Sequence, residues 1–206
     1  MSAFKQVIQN EAELREILGY AGNAAQNKVI AEIDDICRAF IEKSPFVLLG
    51  STAADGAMDV SPKGDPAGFV QIMDSQTLLI PDRPGNRRGD TLSNILQNPN
   101  IGLLFLVPGR SDTLRVNGTA QIVRDDAVRE RFIMQNKVPM FVIAVTVKEA
   151  FFHCTKCVVR SGLWSSERKP DALVSLGEAI IKHAKLDLTV AEADAIVAED
   201  EKFDLY

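Results

Sequence analysis

The sequence predicts a mainly β protein: an antiparallel, Greek-key-like barrel flanked by helices at both ends. Three observations carry this. Between Pro45 and Val147, short runs of β-forming residues follow one another with turn signals and only occasional helical patterns. Before and after that stretch, the apolar residues recur at helical spacing. No Gly-rich dinucleotide fingerprint follows a strand, as a doubly wound parallel sheet would offer.

At the N-terminal end, Asn10 precedes Glu11, Ala12 and Glu13, a capping-box pattern that opens a helix through Leu18. A second helix is expected from Ala24 to Lys43, its buried face formed by Val29, Ile33, Cys37, Phe40 and Ile41. Ser44-Pro45 ends it, because the residue before proline avoids the α region.

Phe46 to Leu49 is the first strand, followed by the turn Asp55-Gly56 and a strand from Met58 to Ser61. Phe69 to Ile72 and Thr77 to Ile80 are further strands, and Pro81 to Gly89 is a loop rich in proline and glycine. Thr91 caps a helix through Gln97 with Leu92, Ile95 and Leu96 inward. Ile101 to Val107 is one unbroken apolar run, expected to be a fully buried strand. Thr113 to Val123 is a long strand whose Asn117-Gly118 is either a hairpin turn or a bulge. Asp125 caps a helix carrying Val128, Phe132 and Ile133, and Phe141 to Val147 is the last strand. Two helices complete the chain, one over Asp171 to Ala184, the other opened by the capping box Thr189 and Glu192, with Val190, Ala193, Ile196 and Val197 inward. The chain is expected to be one domain, with helices over 1–44, the barrel over 45–150 and a helical extension over 151–206.

Composition narrows the function. The formal net charge of −5 disfavours general affinity for nucleic acid or anionic membranes, both of which need clustered positive charge. No secretory signal is legible, and three cysteines cannot build a disulfide framework, so a cytoplasmic setting is expected. With only two histidines and no nucleophile-elbow sequence, a hydrolase triad lacks material. Any catalysis is then expected from a bound cofactor. Cys154-Thr-Lys-Cys157 has metal or redox spacing, but it lacks a second pair and a βαβ context, and reads as structural.

The informative cluster is Ser61-Pro62-Lys63-Gly64-Asp65 together with Arg83, Arg87 and Arg88 in the loop before the Thr91 helix. Arginine grips a phosphate through paired N–H bonds, lysine adds a point charge, and a helix start supplies backbone donors. The residues alone leave open whether this is an anion site or a solvated charged loop.

The segments PFVLLGSTAADGAMDVSPKGDPAGFV, LLIPDRPGNRRGDTLSNILQNPNIGLLFLVPG and LRVNGTAQI resemble, in their order and spacing, the pyridoxamine 5'-phosphate oxidase-related FMN-binding proteins. The resemblance implies a split β-barrel, a homodimer and FMN at the subunit interface. It places Lys63 against the flavin and gives Arg87 and Arg88 the FMN phosphate. Ser61 and the backbone around Ile80 and Pro81 line the ring or the ribityl chain. Thr113 and Arg115 share one face of their strand and reach the flavin from there. Arg83 lies in a loop insertion. Trp164 either covers the site from the partner chain or is a core aromatic. The oxidases proper end in a substrate-binding segment rich in arginine and histidine. Here that region reads CVVRSGLWSSERKP, so their substrate is not carried over. The expected function is an FMN-dependent oxidoreductase of open substrate, or a flavin carrier or sensor. Haem and deazaflavin are variants, since fold does not settle cofactor.

Overall fold

A computed structural model of the chain describes residues 4–166, 173–203 and 205–206. Seven strands form one antiparallel sheet: β1 (Phe46–Thr52), β2 (Met58–Gly64), β3 (Gln71–Asp74), β4 (Thr77–Asp82), β5 (Asn100–Leu106), β6 (Thr113–Val123) and β7 (Phe141–His153), in the spatial order β2-β1-β5-β6-β7-β4-β3. Strands β5, β6 and β7 run consecutively, and β4 returns beside β7, which is the Greek-key arrangement. The sheet curls but does not close, because its end strands β2 and β3 do not pair. The expected split barrel is therefore the observed fold.

The inner face of the sheet is apolar. Val47 and Leu49 of β1, Leu103 and Phe105 of β5, Leu114 and Val116 of β6, and Leu78 and Ile80 of β4 are all essentially inaccessible. Pro62 sits on an end strand and Pro81 beyond the reach of β3, two positions where a missing N–H costs no ladder bond. Asn117-Gly118 is a bulge within β6, where the register to β7 shifts. Gly118 is required there, because an added Cβ would overlap the Thr146 carbonyl oxygen.

Several expectations need correction. The helix expected over Ala24 to Lys43 is two helices, α2 (Asn23–Asn27) and α3 (Asp35–Ile41). Ile30 lies between them and forms a β-bridge with Ala150, and Asp34 restarts the helix by accepting from the Cys37 backbone N–H at 2.8 Å. Ile33, Cys37, Phe40 and Ile41 do reach the core, whereas Val29 is exposed. Before them, α1 (Glu11–Leu18) starts as expected, with Asn10 Oδ1 accepting from the Glu13 N–H.

Helix α4 (Asp90–Gln97) begins at Gly89 rather than at Thr91, whose hydroxyl donates to Asp59 instead. Its inward residues are Leu92, Asn94 and Ile95, and Leu96 faces solvent. Asn94 donates to the buried Ser51 hydroxyl at 3.0 Å, which makes a polar residue acceptable there. Strand β5 is buried on alternate residues only: Ile101, Leu103 and Phe105 face inward, while Gly102, Leu104 and Leu106 line the outer face. Strand β7 runs six residues past Val147, to His153, so the barrel also extends beyond residue 150.

After β6 comes α5 (Asp126–Arg129), then a single 3-10 turn that seats Phe132 against Leu79 and Val142. Ile133 is exposed. Beyond β7 lie α6 (Lys156–Ser161), α7 (Leu176–Ala184) and α8 (Val190–Phe203). The expected helix start at Asp171 lies outside the described residues. The described helix α7 is capped by Ser175, which accepts from the Glu178 N–H. The Thr189 and Glu192 box forms as read. Of its four expected inward residues, Ala193 is buried and Val197 half-buried, while Val190 and Ile196 are exposed.

Candidate functional site

Alternation along β2 puts Asp59, Ser61 and Lys63 on the side of the sheet that carries Val47, Leu49 and Ser51 of β1. All three are half-buried, and they face the segment that runs from the end of β4 into α4. Three polar links join the two. Lys63 Nζ donates to Asp82 Oδ1 at 2.9 Å. Arg83 Nε donates to Asp65 Oδ2 at 2.6 Å. Thr91 Oγ1 donates to Asp59 Oδ2 at 2.7 Å. The two sequence segments singled out for their charge are thus neighbours in space, although 17 residues separate Asp65 from Arg83 in the chain.

The four cations of this cluster are not equivalent. Lys63 and Arg83 are well shielded and each is matched to a carboxylate, Asp82 and Asp65. Arg83 also donates to the Phe132 carbonyl at 2.8 Å and lies over the ring of Tyr206, whose hydroxyl donates to the second oxygen of Asp65. That hydrogen bond holds the Tyr206 phenol above its ordinary pKa. Arg83 is committed to holding the end of β4 against the end of β2.

Arg87 and Arg88 lie instead on the exposed loop 84–89. Arg88 Nε donates to Asp90 at 2.7 Å, and this bond, with the charges of Asp90 and Asp59 behind it, raises the guanidinium above its usual range. Arg87 has φ +59°, so the loop turns through the left-handed region immediately before α4. Gly89, at the cap position of α4, has no side chain to satisfy the first-turn N–H groups. Two exposed guanidinium groups beside an uncapped eight-residue helix start are a donor set that fits a phosphate.

The remaining candidates are elsewhere. Thr113 and Arg115 are on the outer face of the sheet, together, as the strand alternation requires. With Leu104, Leu106, His153 and Cys157 they line a groove of about 390 Å³. Leu104 and Arg115 are shared with a second depression of about 290 Å³, which Leu48, Gly50, Val60 and Gly102 complete. The Arg115 guanidinium rests over the Phe151 ring at 5.3 Å. Trp164 is 40% exposed and donates from Nε1 to the Arg110 carbonyl at 2.7 Å, so it is no core aromatic. Ile80 points its side chain into the core, and Pro81 pairs with Val142 across β4 and β7.

The structure therefore brings Ser61, Lys63 and Arg83 together and puts the loop of Arg87 and Arg88 beside them. Thr113 and Arg115 are set across the sheet from that cluster, Arg115 exposed on the outer face and Thr113 buried beside it. Asp82, Asp59 and Tyr206 belong to the cluster and were not anticipated. Asp82 could have been suspected from the need of a part-buried cation for a carboxylate partner, whereas Asp59 meets the Thr91 hydroxyl and carries no such signal.

The sequence profile of the family described as Pyridoxamine 5'-phosphate oxidase matches residues 33–154, more than half of the sequence. The chain belongs to this family. The match runs from the residue before the Asp34 cap through all seven strands, and leaves α1, α2 and the C-terminal helices outside it. No curated protein sequence matches the chain. Among solved structures, a HupZ variant of Group A Streptococcus is 22% identical, with a TM-score of 0.50 over 59% of this chain and 99% of its own, and shares the fold. A putative pyridoxamine 5'-phosphate oxidase of Lactobacillus delbrueckii is 22% identical over 59% and 99%, with a TM-score of 0.46. An FMN-binding protein of Syntrophomonas wolfei is 11% identical over 57% and 88%, with a TM-score of 0.43.

Proposed function

We propose that this member of the family binds FMN and works as an FMN-dependent oxidoreductase. The observation that carries the reading is the lacing of β2 to the segment 82–91, which sets the loop of Arg87 and Arg88 beside Ser61 and Lys63. A phosphate held by Arg87, Arg88 and the first N–H groups of α4 leaves the rest of the ligand to run past Ser61. Bound FMN would supply hydride or single-electron chemistry at its ring system. Lys63, fixed by Asp82, is the residue to stabilise negative charge on the ring, which a preorganised cation does without reorganising. No protein acid or base is demanded, in keeping with a chain of two histidines.

The reading includes a homodimer. The outer face of β2, β1 and β5 presents Met58, Val60, Leu48, Leu104 and Leu106, a partly exposed apolar surface that a second copy would cover. Arg115 opens onto that same face, with Thr113 buried on the same side of its strand, so a dimer would offer Arg115 and Trp164 to the partner's flavin. A cytoplasmic location goes with the reading. Among the described residues no helix is long and apolar enough to cross a membrane.

The test is an absorbance scan of freshly purified protein, followed by NADH or NADPH and then oxygen. Flavin bands that bleach and return support the oxidoreductase. Bands that persist oxidised under every reductant favour a carrier or sensor. Colourless protein that ignores added FMN overturns the proposal.

A further inference from the structure

The pair Cys154 and Cys157 has redox or metal spacing but reads from its sequence context as structural, whereas both thiols lie on the surface. Both cysteines are exposed and free, at the junction where β7 ends and α6 begins. Their sulfurs belong to one turn of chain. The Lys156 backbone N–H donates to Cys154 Sγ at 3.4 Å, and Cys157 Sγ lies 3.9 Å from the Cys154 carbonyl oxygen. Cys157 also lines the outer groove beside His153, Thr113 and Arg115. Cys37 is the opposite case: it is 2% exposed, packed in the core, and burial pushes its thiol up to about 12.

A thiol used for packing is sequestered, as Cys37 is. Two accessible thiols three residues apart on a turn, one carrying a backbone hydrogen bond to its sulfur, are the arrangement for thiol–disulfide exchange. A zinc site is not supported, since no group of three or more His, Cys, Asp or Glu side chains able to hold a metal occurs among the described residues.

We infer that Cys154 and Cys157 form a thiol–disulfide exchange site on the wall of the outer groove, accepting small disulfides as substrate. The deprotonated Cys154 sulfur attacks one sulfur of a disulfide RSSR, forming a mixed disulfide and releasing RS⁻, which takes up a proton. The Cys157 sulfur, having given up its proton, then attacks Cys154 Sγ and expels the second RS⁻. The protein loses two electrons and two protons, and RSSR becomes two RSH. The product disulfide ties α6 to the end of β7, and so fixes the side of the groove made by Cys157 and Val158. This inference does not depend on a flavin.

The experiment equilibrates the full chain in glutathione buffers of increasing disulfide content, quenches with acid, alkylates under denaturing conditions and reads the intact mass. The expected result is loss of two alkylation sites together, with Cys37 still alkylated and no glutathione retained. Cys157→Ser should then trap one glutathione on Cys154, which peptide mapping locates. Wild-type protein that stays fully reduced in glutathione disulfide alone overturns the inference. So does glutathione retained separately on each cysteine, or a Cys157→Ser protein that takes up none.

Discussion

Lys63 at the end of β2 and Asp82 at the end of β4 form an ion pair at 2.9 Å, although four strands separate their own in the sheet. This contact marks how far the sheet curls. It brings an end strand against the next-to-last strand at the opposite end, and Arg83 with Asp65 repeats the link one step along. The candidate site is built on this seam.

Both members of that pair are largely shielded, at 18% and 20% exposure, so removing either leaves a part-buried charge unmatched. Lys63→Ala and Asp82→Ala should each destabilise the fold by about 1–3 kcal/mol, and the double variant by clearly less than the sum. Urea unfolding of the four proteins checks this. Additive losses would mean the pair does not couple across the seam.

Arg87 and Arg88 make no comparable structural contribution, being on an exposed loop. The double variant Arg87→Ala with Arg88→Ala should keep the thermal midpoint and weaken FMN at least about tenfold, since charge-assisted bonds to the phosphate are lost. Fluorescence titration with FMN and with riboflavin checks it, because riboflavin lacks the phosphate and should lose little. Unchanged FMN affinity would put the phosphate elsewhere.

The dimer proposal has its own handle at Leu104, half-buried on the outer face and shared by both depressions. Leu104→Glu should yield a folded monomer, because covering a carboxylate at an apolar interface costs several kcal/mol. Light scattering after size exclusion reads the mass. A dimeric Leu104→Glu protein would move the interface off this face.

At the bulge, Gly118→Ala should cost more than about 2 kcal/mol, since the new methyl group meets backbone rather than a flexible side chain. Thermal unfolding measures it. A neutral effect would show that β6 and β7 can part at Thr146 without penalty.

Cys37 makes stability depend on alkaline pH. Its folded-state thiol is raised from 9.0 to about 12 by burial first and by the Asp34 carboxylate second. The unfolded thiol ionises above 9.0 and the folded one does not. Stability is therefore full below that pH and declines between the two values, by up to about 1.4 kcal/mol per pH unit. The slope of unfolding free energy against pH should be shallower in Cys37→Ala over that window. Equal slopes would show that Cys37 does not control it.

Much of this was legible in the residues. Apolar runs and turn signals located six of the seven strands to within three residues and β7 six residues short, and Asn10 and the Thr189 and Glu192 box started their helices as read. What escaped was decided by partners distant in sequence. Val29 has the spacing of a helical core residue, but Ala150 offers its neighbour Ile30 a strand bridge that breaks the helix, and Asp34 then restarts it. Leu96 should face inward by type, yet Asn94 does so because Ser51 waits there with a hydroxyl.

The site divides along the same line. Residue chemistry alone singled out a cationic cluster, because arginine and lysine in two loops of an acidic chain are conspicuous wherever they fold, and left open whether it is an anion site or a solvated loop. Only the curl of the sheet decided which cations are tied across the seam to shielded carboxylates and which sit on the surface, Arg88 beside its own neighbour Asp90. Lys63 meets Asp82 across four intervening strands, Arg83 meets Asp65, and Arg87 and Arg88 are left on the exposed loop. Periodicity is local and survives in one dimension, whereas charge pairing depends on distance in three, and that distance exists only after the barrel has formed.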